Sequence, residues 1–238
     1  MKRENSGKES LSGKALYELP FDWKHDFVYT SDGTKCLGAC ALMAMKYWGV
    51  EITTDRCQEI LDKLSVPAFE GADGSQVVKA VENVLGEVTE GDEDSLETKL
   101  DRFFIEQKPL ETRGPSAAGP TPLKQEFFHA GGIDALKAAF VPKKPIPQIV
   151  IYDEVMAASH EESPGGHACV VQRIDPDTRL VYLIDPNLLM RRTPIYLSFD
   201  DFERGWRSFE QLTFLIYPSQ LYQTVRALVT SRGLGAQN

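Results

Sequence analysis

The sequence contains no long apolar run. No stretch approaches the roughly 18 consecutive apolar residues that a membrane-spanning helix requires. The first ten residues, MKRENSGKES, are polar, and no apolar segment follows them. This pattern is typical neither of a signal peptide nor of a membrane anchor, so we expect a cytoplasmic protein without a membrane segment.

Basic clusters and a cysteine framework are missing as well. The 238 residues include 26 Lys and Arg against 35 Asp and Glu, which gives a formal net charge of −9. The sequence has an excess of acidic residues and no cluster of Lys and Arg, so nucleic acid is not an expected partner. Four cysteines are too few for a disulfide framework in a chain of this length. We therefore expect four free thiols, at positions 36, 40, 57 and 169.

The composition is that of a globular protein with one sizeable domain. Apolar residues make up 42% of the chain and charged residues 26%. We expect a flexible N-terminal arm over 1–20 and a domain over 21–218. Within the domain, the acidic and proline-rich stretch 87–130 is predicted to be an insertion or lid. The tail, 219–238, is predicted to be part helical.

The periodicity changes along the chain from helical to extended, and no internal repeat is present. Helices are predicted at 56–64, 76–85 and 133–140 in addition to the one discussed next. Strands are predicted at 146–152, 167–174, 180–184, 194–199 and 211–217, with an exposed loop over 153–165. Helices that precede a run of antiparallel strands indicate the α+β fold class.

Residues 36–49 predict a helix with a cysteine in its first turn. Thr34 is a candidate cap for this helix, and Gly49 stands where a glycine would end it. The unpaired N–H groups and the dipole of a helix N-terminus favour a thiolate, the nucleophilic form of cysteine. The alternative for Cys36 is a small, inert core residue, because free cysteine is usually buried.

A predicted hairpin supplies a base and an acid for this thiol. His167 begins one strand directly after Gly165-Gly166, and Asp185 ends the next strand. A turn at 175–178 places His167 opposite residues 185–187, so the carboxylate can orient the imidazole. Cys36 is then the candidate nucleophile, and His167 is the candidate base that takes the thiol proton and later protonates the leaving group.

These motifs together resemble the papain-like cysteine peptidases that process bacteriocin leaders, also called double-glycine leader peptidases, and their free-standing relatives. The family pattern Cys-Gly-x-x-Cys-Leu-Ala-Met, ending in Tyr-Tyr-Gly, is similar to Cys36, Cys40, Leu42, Met43, Tyr47, Trp48 and Gly49. The family segment Gly-His-x-x-Val-Val is matched by residues 166–171, its Asp-Pro by Asp185-Pro186, and its Phe and Trp by Phe202 and Trp206. The resemblance implies a papain-like fold whose N-terminal helical half packs the nucleophile helix on a C-terminal antiparallel sheet. It also implies catalysis by Cys36, His167 and Asp185 through a thioester acyl-enzyme.

Two positions depart from the family pattern. The family has a glutamine six residues before the cysteine, where its amide helps to hold the oxyanion, and this chain has Thr30 there. Leu37 follows the cysteine where the family prefers glycine. Thr30 and Gly166 are the candidate oxyanion and substrate-binding residues, and the backbone N–H of Cys36 can still donate. Loss of one oxyanion donor commonly lowers the rate about 10²–10³-fold.

The sequence therefore favours a cofactor-free thiol hydrolase that acts on a peptide or protein. Deamidation and acyl transfer use the same chemistry and remain alternatives. A binding module with a degenerate oxyanion hole is another. A metal site formed by Cys36, Cys40, His167 and Cys169 is less favoured, because the paired Cys-x₂-Cys spacing of zinc sites is absent, and no metal is predicted.

Overall fold

A computed structural model describes residues 17–63, 123–140, 145–161, 165–187 and 194–230. Its strands are β1 (Tyr17–Glu18), β2 (Leu123–His129), β3 (Gln148–Tyr152), β4 (His167–Asp175), β5 (Leu180–Ile184), β6 (Ile195–Ser198) and β7 (Leu212–Pro218). Its helices are α1 (Cys36–Tyr47), α2 (Thr54–Lys63), α3 (Ile133–Ala139), α4 (Glu154–Ser159), α5 (Phe199–Arg207) and α6 (Tyr222–Thr230), with short 3₁₀ turns at Gly33–Lys35 and Ser219–Leu221. Within these ranges, no helix combines the length and apolarity that crossing a bilayer requires.

The seven strands form one sheet in which every pairing is antiparallel. The order is β2-β7-β3-β4-β5-β6, and β1 pairs with the far end of β4. Helix α1 packs against β3, β4 and β7, whereas α5 packs against β3, β5 and β6. The predicted α+β class is confirmed, and β4 lies near the centre of the sheet, directly beneath α1.

Helix α1 is buried on every side. All ten residues from Cys36 to Met45 are buried. An all-round apolar helix has no solvent face to present, because its surface is covered by neighbouring elements. The helix ends as predicted, with Gly49 at a φ of 91°. The Trp48 indole N–H then donates to the Ile216 carbonyl over 2.7 Å and joins this end of α1 to β7.

Helix α5 is capped at its N-terminus and anchored by two buried aromatic side chains. The Ser198 side chain accepts the N–H of Asp201 over 3.1 Å, which satisfies a first-turn donor. Phe202 and Trp206 are both fully buried on this helix. Gly205 lets the helix approach β3 closely, because a Cβ there would strike the Asp153 carbonyl oxygen.

Two expectations about the middle of the chain are corrected. The predicted loop over 153–165 contains helix α4, whose first turn is capped by the Asp153 side chain accepting from the Met156 N–H over 2.9 Å. The predicted insertion, 87–130, ends in β2, which pairs along its whole length with β7 and belongs to the sheet. Residues 87–122 lie outside the described residues, as does the predicted helix at 76–85.

The predicted ends of the domain also differ from the structure. The end of the expected arm, 1–20, forms β1, and the Leu19 side chain is 1% exposed. Residues ahead of the predicted boundary at 21 therefore belong to the sheet, while 1–16 lies outside the described residues. In the tail, α6 supplies the helical part, and 231–238 lies outside the described residues.

Candidate active site

The turn before Cys36 is organised by Asp32. Its carboxylate accepts the backbone N–H of Thr34 over 2.9 Å and the Thr34 hydroxyl over 2.6 Å. These hydrogen bonds lower the pKa of Asp32. Thr34 is therefore not the helix cap that the sequence suggests, because it lies inside the 3₁₀ turn Gly33–Lys35 that Asp32 caps. Lys35 occupies the cap position, and its side chain makes no capping hydrogen bond.

Two thiols of α1 contact one residue of β4. The Cys36 Sγ accepts the backbone N–H of Ala168 over 3.3 Å, and the Cys40 Sγ donates to the Ala168 carbonyl over 3.3 Å. Both cysteines are fully buried, and all four cysteines of the chain are free thiols, as predicted. This docking places Cys36 at the residue next to His167.

The imidazole of His167 is held by a carboxylate from the neighbouring strand. Its Nε2 lies 2.9 Å from the Asp185 Oδ1, and the same oxygen accepts the backbone N–H of Asn187 over 2.8 Å. The register that pairs Val170 with Ile184 continues to place His167 opposite Asn187, within the predicted range of 185–187. With Nε2 bonded to Asp185, Nδ1 is the ring nitrogen left for the thiol.

The surroundings of His167 favour its charged form. Burial opposes the imidazolium, but attraction to Cys169 and hydrogen bonds with Asp185, Cys169 and Cys36 outweigh it. The net effect is a raised pKa for His167. A proton that stays on this ring is compatible with a thiolate on Cys36 and with donation to a leaving group. The structure thus brings together the three residues that the sequence singles out as nucleophile, base and acid.

A second sulfur lies beside the same imidazole. Cys169 is two residues from His167 on β4, so both side chains project from one face of the strand. Ligand atoms of His167, Cys169 and Asp185 all lie within 4.8 Å of one another. Burial is the main cause that raises the pKa of Cys169 to about 11. The sequence already indicates this proximity, because residues two apart on a strand project from the same face.

The two candidate oxyanion and substrate-binding residues have other contacts. The Thr30 hydroxyl donates to the Asp32 carbonyl and accepts the Asp32 N–H, both over 3.2 Å. Gly166 lies under the Phe209 ring, where an added Cβ would meet ring atoms at 2.6 and 2.9 Å and the Ile151 Cγ2 at 2.9 Å. The structure therefore places Thr30 in a local turn and Gly166 in a tight packing contact. Their roles toward a substrate stay predictions.

No protein-family model matches the chain, and no curated protein matches it at a significant level. Solved structures do match. One is a double glycine motif protease from an AMS/PCAT transporter in complex with the leader peptide, with 11% identity over 86% of this chain and 99% of that chain and a TM-score of 0.45. Another is the peptidase domain of Streptococcus ComA, a bifunctional ABC transporter, with 14% identity over 80% and 96% of the two chains and a TM-score of 0.44.

A third match is a protein from Bacillus anthracis described as a C39-like peptidase. It has 14% identity over 86% of this chain and 98% of that chain, with a TM-score of 0.48. One of the matching structures is thus described as a double glycine motif protease. At identities and TM-scores this low, the chemistry of the site has to be judged from its own residues.

Proposed function

We propose that this protein is a cysteine peptidase in which Cys36, His167 and Asp185 form the catalytic triad. Two observations carry the proposal: the 2.9 Å hydrogen bond between His167 and Asp185, and the hydrogen bond from the Ala168 N–H that holds the Cys36 Sγ at the residue next to His167. Cys36 lies far along the chain from the hairpin that carries His167 and Asp185, so its convergence with them requires the folded domain. A base held between a thiol and an orienting carboxylate is the arrangement that thiol catalysis requires.

The reaction proceeds in two balanced steps. The Cys36 thiolate attacks the carbonyl carbon of a peptide bond, and the new S–C bond replaces the C–N bond as the amine leaves with the proton from His167. Water then attacks the thioester, gives a proton to His167 and releases the carboxylic acid. When the S–C bond breaks, the sulfur regains its electron pair. Asp185 keeps the imidazole oriented throughout, since its bond occupies Nε2.

The oxyanion of each tetrahedral intermediate needs hydrogen-bond donors. The backbone N–H of Cys36 lies at the start of α1, where the helix dipole favours negative charge. Thr30 is the sequence-based candidate for a second donor. The motif resemblance favours a peptide bond over other amides as the substrate, and deamidation or acyl transfer would use the same thiol chemistry.

A labelling experiment tests the proposal. The wild-type protein is treated with an electrophilic peptide probe near neutral pH, and mass spectrometry measures the rate at which each thiol is modified. We expect Cys36 to react ahead of the other three thiols, because it alone combines a helix N-terminus with an imidazole base. Cys57, on α2 and away from the sheet, serves as the internal reference.

Two variants complete this test. His167→Ala is expected to lower Cys36 labelling by about 10²-fold or more, since the base is removed. Cys57→Ala, which removes a thiol outside the site, is expected to label like the wild type. Equal labelling of Cys36 and Cys57, or an unchanged rate in His167→Ala, would overturn the peptidase proposal.

A non-catalytic binding module is the second candidate, and one observation favours it. Thr30 replaces a side-chain carboxamide, and its hydroxyl is already bonded to the backbone of Asp32. Such a module would bind peptides without cleaving them. Binding of a peptide by the wild-type protein with no labelling of Cys36 would support the binding module against the enzyme.

A further inference from the structure

Cys169 is a buried thiol that the proposed reaction does not use. It is fully buried on β4, two residues from His167 and on the same face of the strand. The ligand atoms of these three residues are mutually within 4.8 Å. A purely apolar role would need no polar neighbours, whereas here a thiol, an imidazole and a carboxylate converge on one small volume.

The chemistry of these three groups suits one kind of ion. Thiolate, imidazole and carboxylate are all common ligands of Zn²⁺, and three protein ligands with an open fourth position form a frequent zinc site. The thiolate and the carboxylate together carry two negative charges, and a neutral imidazole carries no charge. A bound Zn²⁺ would therefore leave this buried cluster electrically neutral, which offsets the cost of burying charge.

The geometry needs only a small change to accept the ion. Two ligand atoms at about 2.0–2.2 Å from a tetrahedral zinc ion lie about 3.4 Å apart, so the 2.9 Å Nε2–Oδ1 pair of His167 and Asp185 has to open by about 0.5 Å. The cluster also has a route to solvent, since the His167 and Asp185 side chains keep 9% and 6% of their surface exposed.

We propose that His167, Cys169 and Asp185 bind a Zn²⁺ ion, and that the bound ion prevents His167 from acting as the base for Cys36. The ion replaces the proton shared by His167 and Asp185, and the Cys169 thiol loses its own proton, so two protons pass to solvent. No electron is transferred. The metal site itself depends only on the geometry, whereas its inhibitory consequence rests on the proposed peptidase function.

Zinc affinity is the first readout, and it does not require activity. The full-length protein, reduced with a phosphine, is titrated with Zn²⁺ against a chromophoric chelator. We expect one ion to bind the wild type, and Cys169→Ala to weaken binding by at least about 100-fold, because even partners outside the coordination shell cost about 10–100-fold. Cys169→Ser is a second variant that fills the buried site more fully, and thermal unfolding checks both folds.

Two control variants locate the ion. Cys57→Ala removes one buried thiol elsewhere and is expected to bind zinc like the wild type. Cys36→Ala is also expected to retain the affinity, because the nucleophile is not a ligand in this proposal. With Co²⁺ as the probe, the thiolate-to-metal absorption band is expected in Cys36→Ala and not in Cys169→Ala. Wild-type affinity in Cys169→Ala, or its loss in Cys36→Ala, would overturn the site.

Labelling of Cys36 with and without Zn²⁺ tests the consequence separately. Each variant's own rate without metal is its reference. We expect Zn²⁺ to slow labelling at least about tenfold in the wild type and in Cys57→Ala, and to leave Cys169→Ala unaffected at the same concentration. Tight, Cys169-dependent binding that leaves the labelling rate unchanged would refute the inhibitory role. A wild-type protein whose Cys36 never labels would contradict the peptidase proposal, while the affinity data would still test the metal site.

Discussion

The backbone N–H of Thr30 donates to the carbonyl of Pro186 over 3.0 Å. This bond joins the segment that leads into α1 to the turn that follows β5. Asp185 precedes Pro186 in that turn, and Cys36 lies six residues beyond Thr30. The nucleophile and the orienting acid are therefore positioned against each other by main chain as well as by the imidazole between them.

Replacement of Asp185 tests how the imidazole is oriented. Its Oδ1 accepts from both His167 and the Asn187 N–H, so Asp185→Asn can keep its carbonyl oxygen in that position. We expect Asp185→Asn to retain most of the Cys36 labelling rate. Asp185→Ala, which leaves His167 without an acceptor, is expected to lose about 10²-fold or more. Equal losses in the two variants, measured by mass spectrometry, would contradict this account.

Gly166→Ala should destabilise the domain through a local clash. The new methyl would overlap the Phe209 ring and the Ile151 side chain, and overpacking of this kind costs about 1–3 kcal/mol. Urea unfolding measures the loss. Gly131→Ala is the matched control, because a Cβ at Gly131 meets no atom within 4 Å. In a Phe209→Ala background, Gly166→Ala is expected to lower the free energy of unfolding by less than it does in the wild type. Equal losses in the two backgrounds would contradict the clash with Phe209.

The raised pKa of His167 predicts a pH dependence of stability. The folded protein holds this proton more tightly than the unfolded chain, whose histidine has an ordinary value of 6.5. The stabilising contribution is complete below that value and declines as pH rises toward the folded pKa. We expect the free energy of unfolding to fall between about pH 7 and pH 9, and to fall less in His167→Gln. Identical slopes in the two proteins would show that His167 is not the cause.

The cap of α5 offers a test that is independent of the site. Ser198→Ala removes the acceptor for the Asp201 N–H and is expected to cost about 1 kcal/mol in urea unfolding. Ser208→Ala, an exposed position at the other end of the same helix, is the control and is expected to change stability by less than about 0.5 kcal/mol. A loss in Ser208→Ala as large as that in Ser198→Ala would contradict the cap as the cause.

The elements that carry the candidate site could be predicted because their signals are local. The apolar run after Cys36 ends at a glycine that takes a positive φ. The hairpin of β4 and β5 consists of two apolar strands joined by a polar turn. The register of that hairpin follows from the turn position, so the approach of His167 to Asp185 could be predicted as well. The contact with Cys36 depends on how α1 docks, and only the family resemblance indicated it.

The elements that were missed depend on distant partners or on very short segments. Strand β2 mixes polar and apolar residues, and its pairing partner β7 lies far along the chain, so no local pattern marks it as a strand. Helix α4 has six residues, too few for a helical period to show. The cap before Cys36 was misplaced because Asp32 and Thr34 are both good caps, and only the observed turn shows that one bonds the other.

The position of β7 has a consequence for the order in which the protein matures. This strand is inserted between β2 and β3, although it follows both in the chain. During synthesis, β2 and β3 therefore lack their shared neighbouring strand until residue 218 has left the ribosome. We expect the thiol at position 36 to react only as an ordinary cysteine in nascent intermediates, and to gain the enhanced reactivity of the folded site only once this last strand is in place.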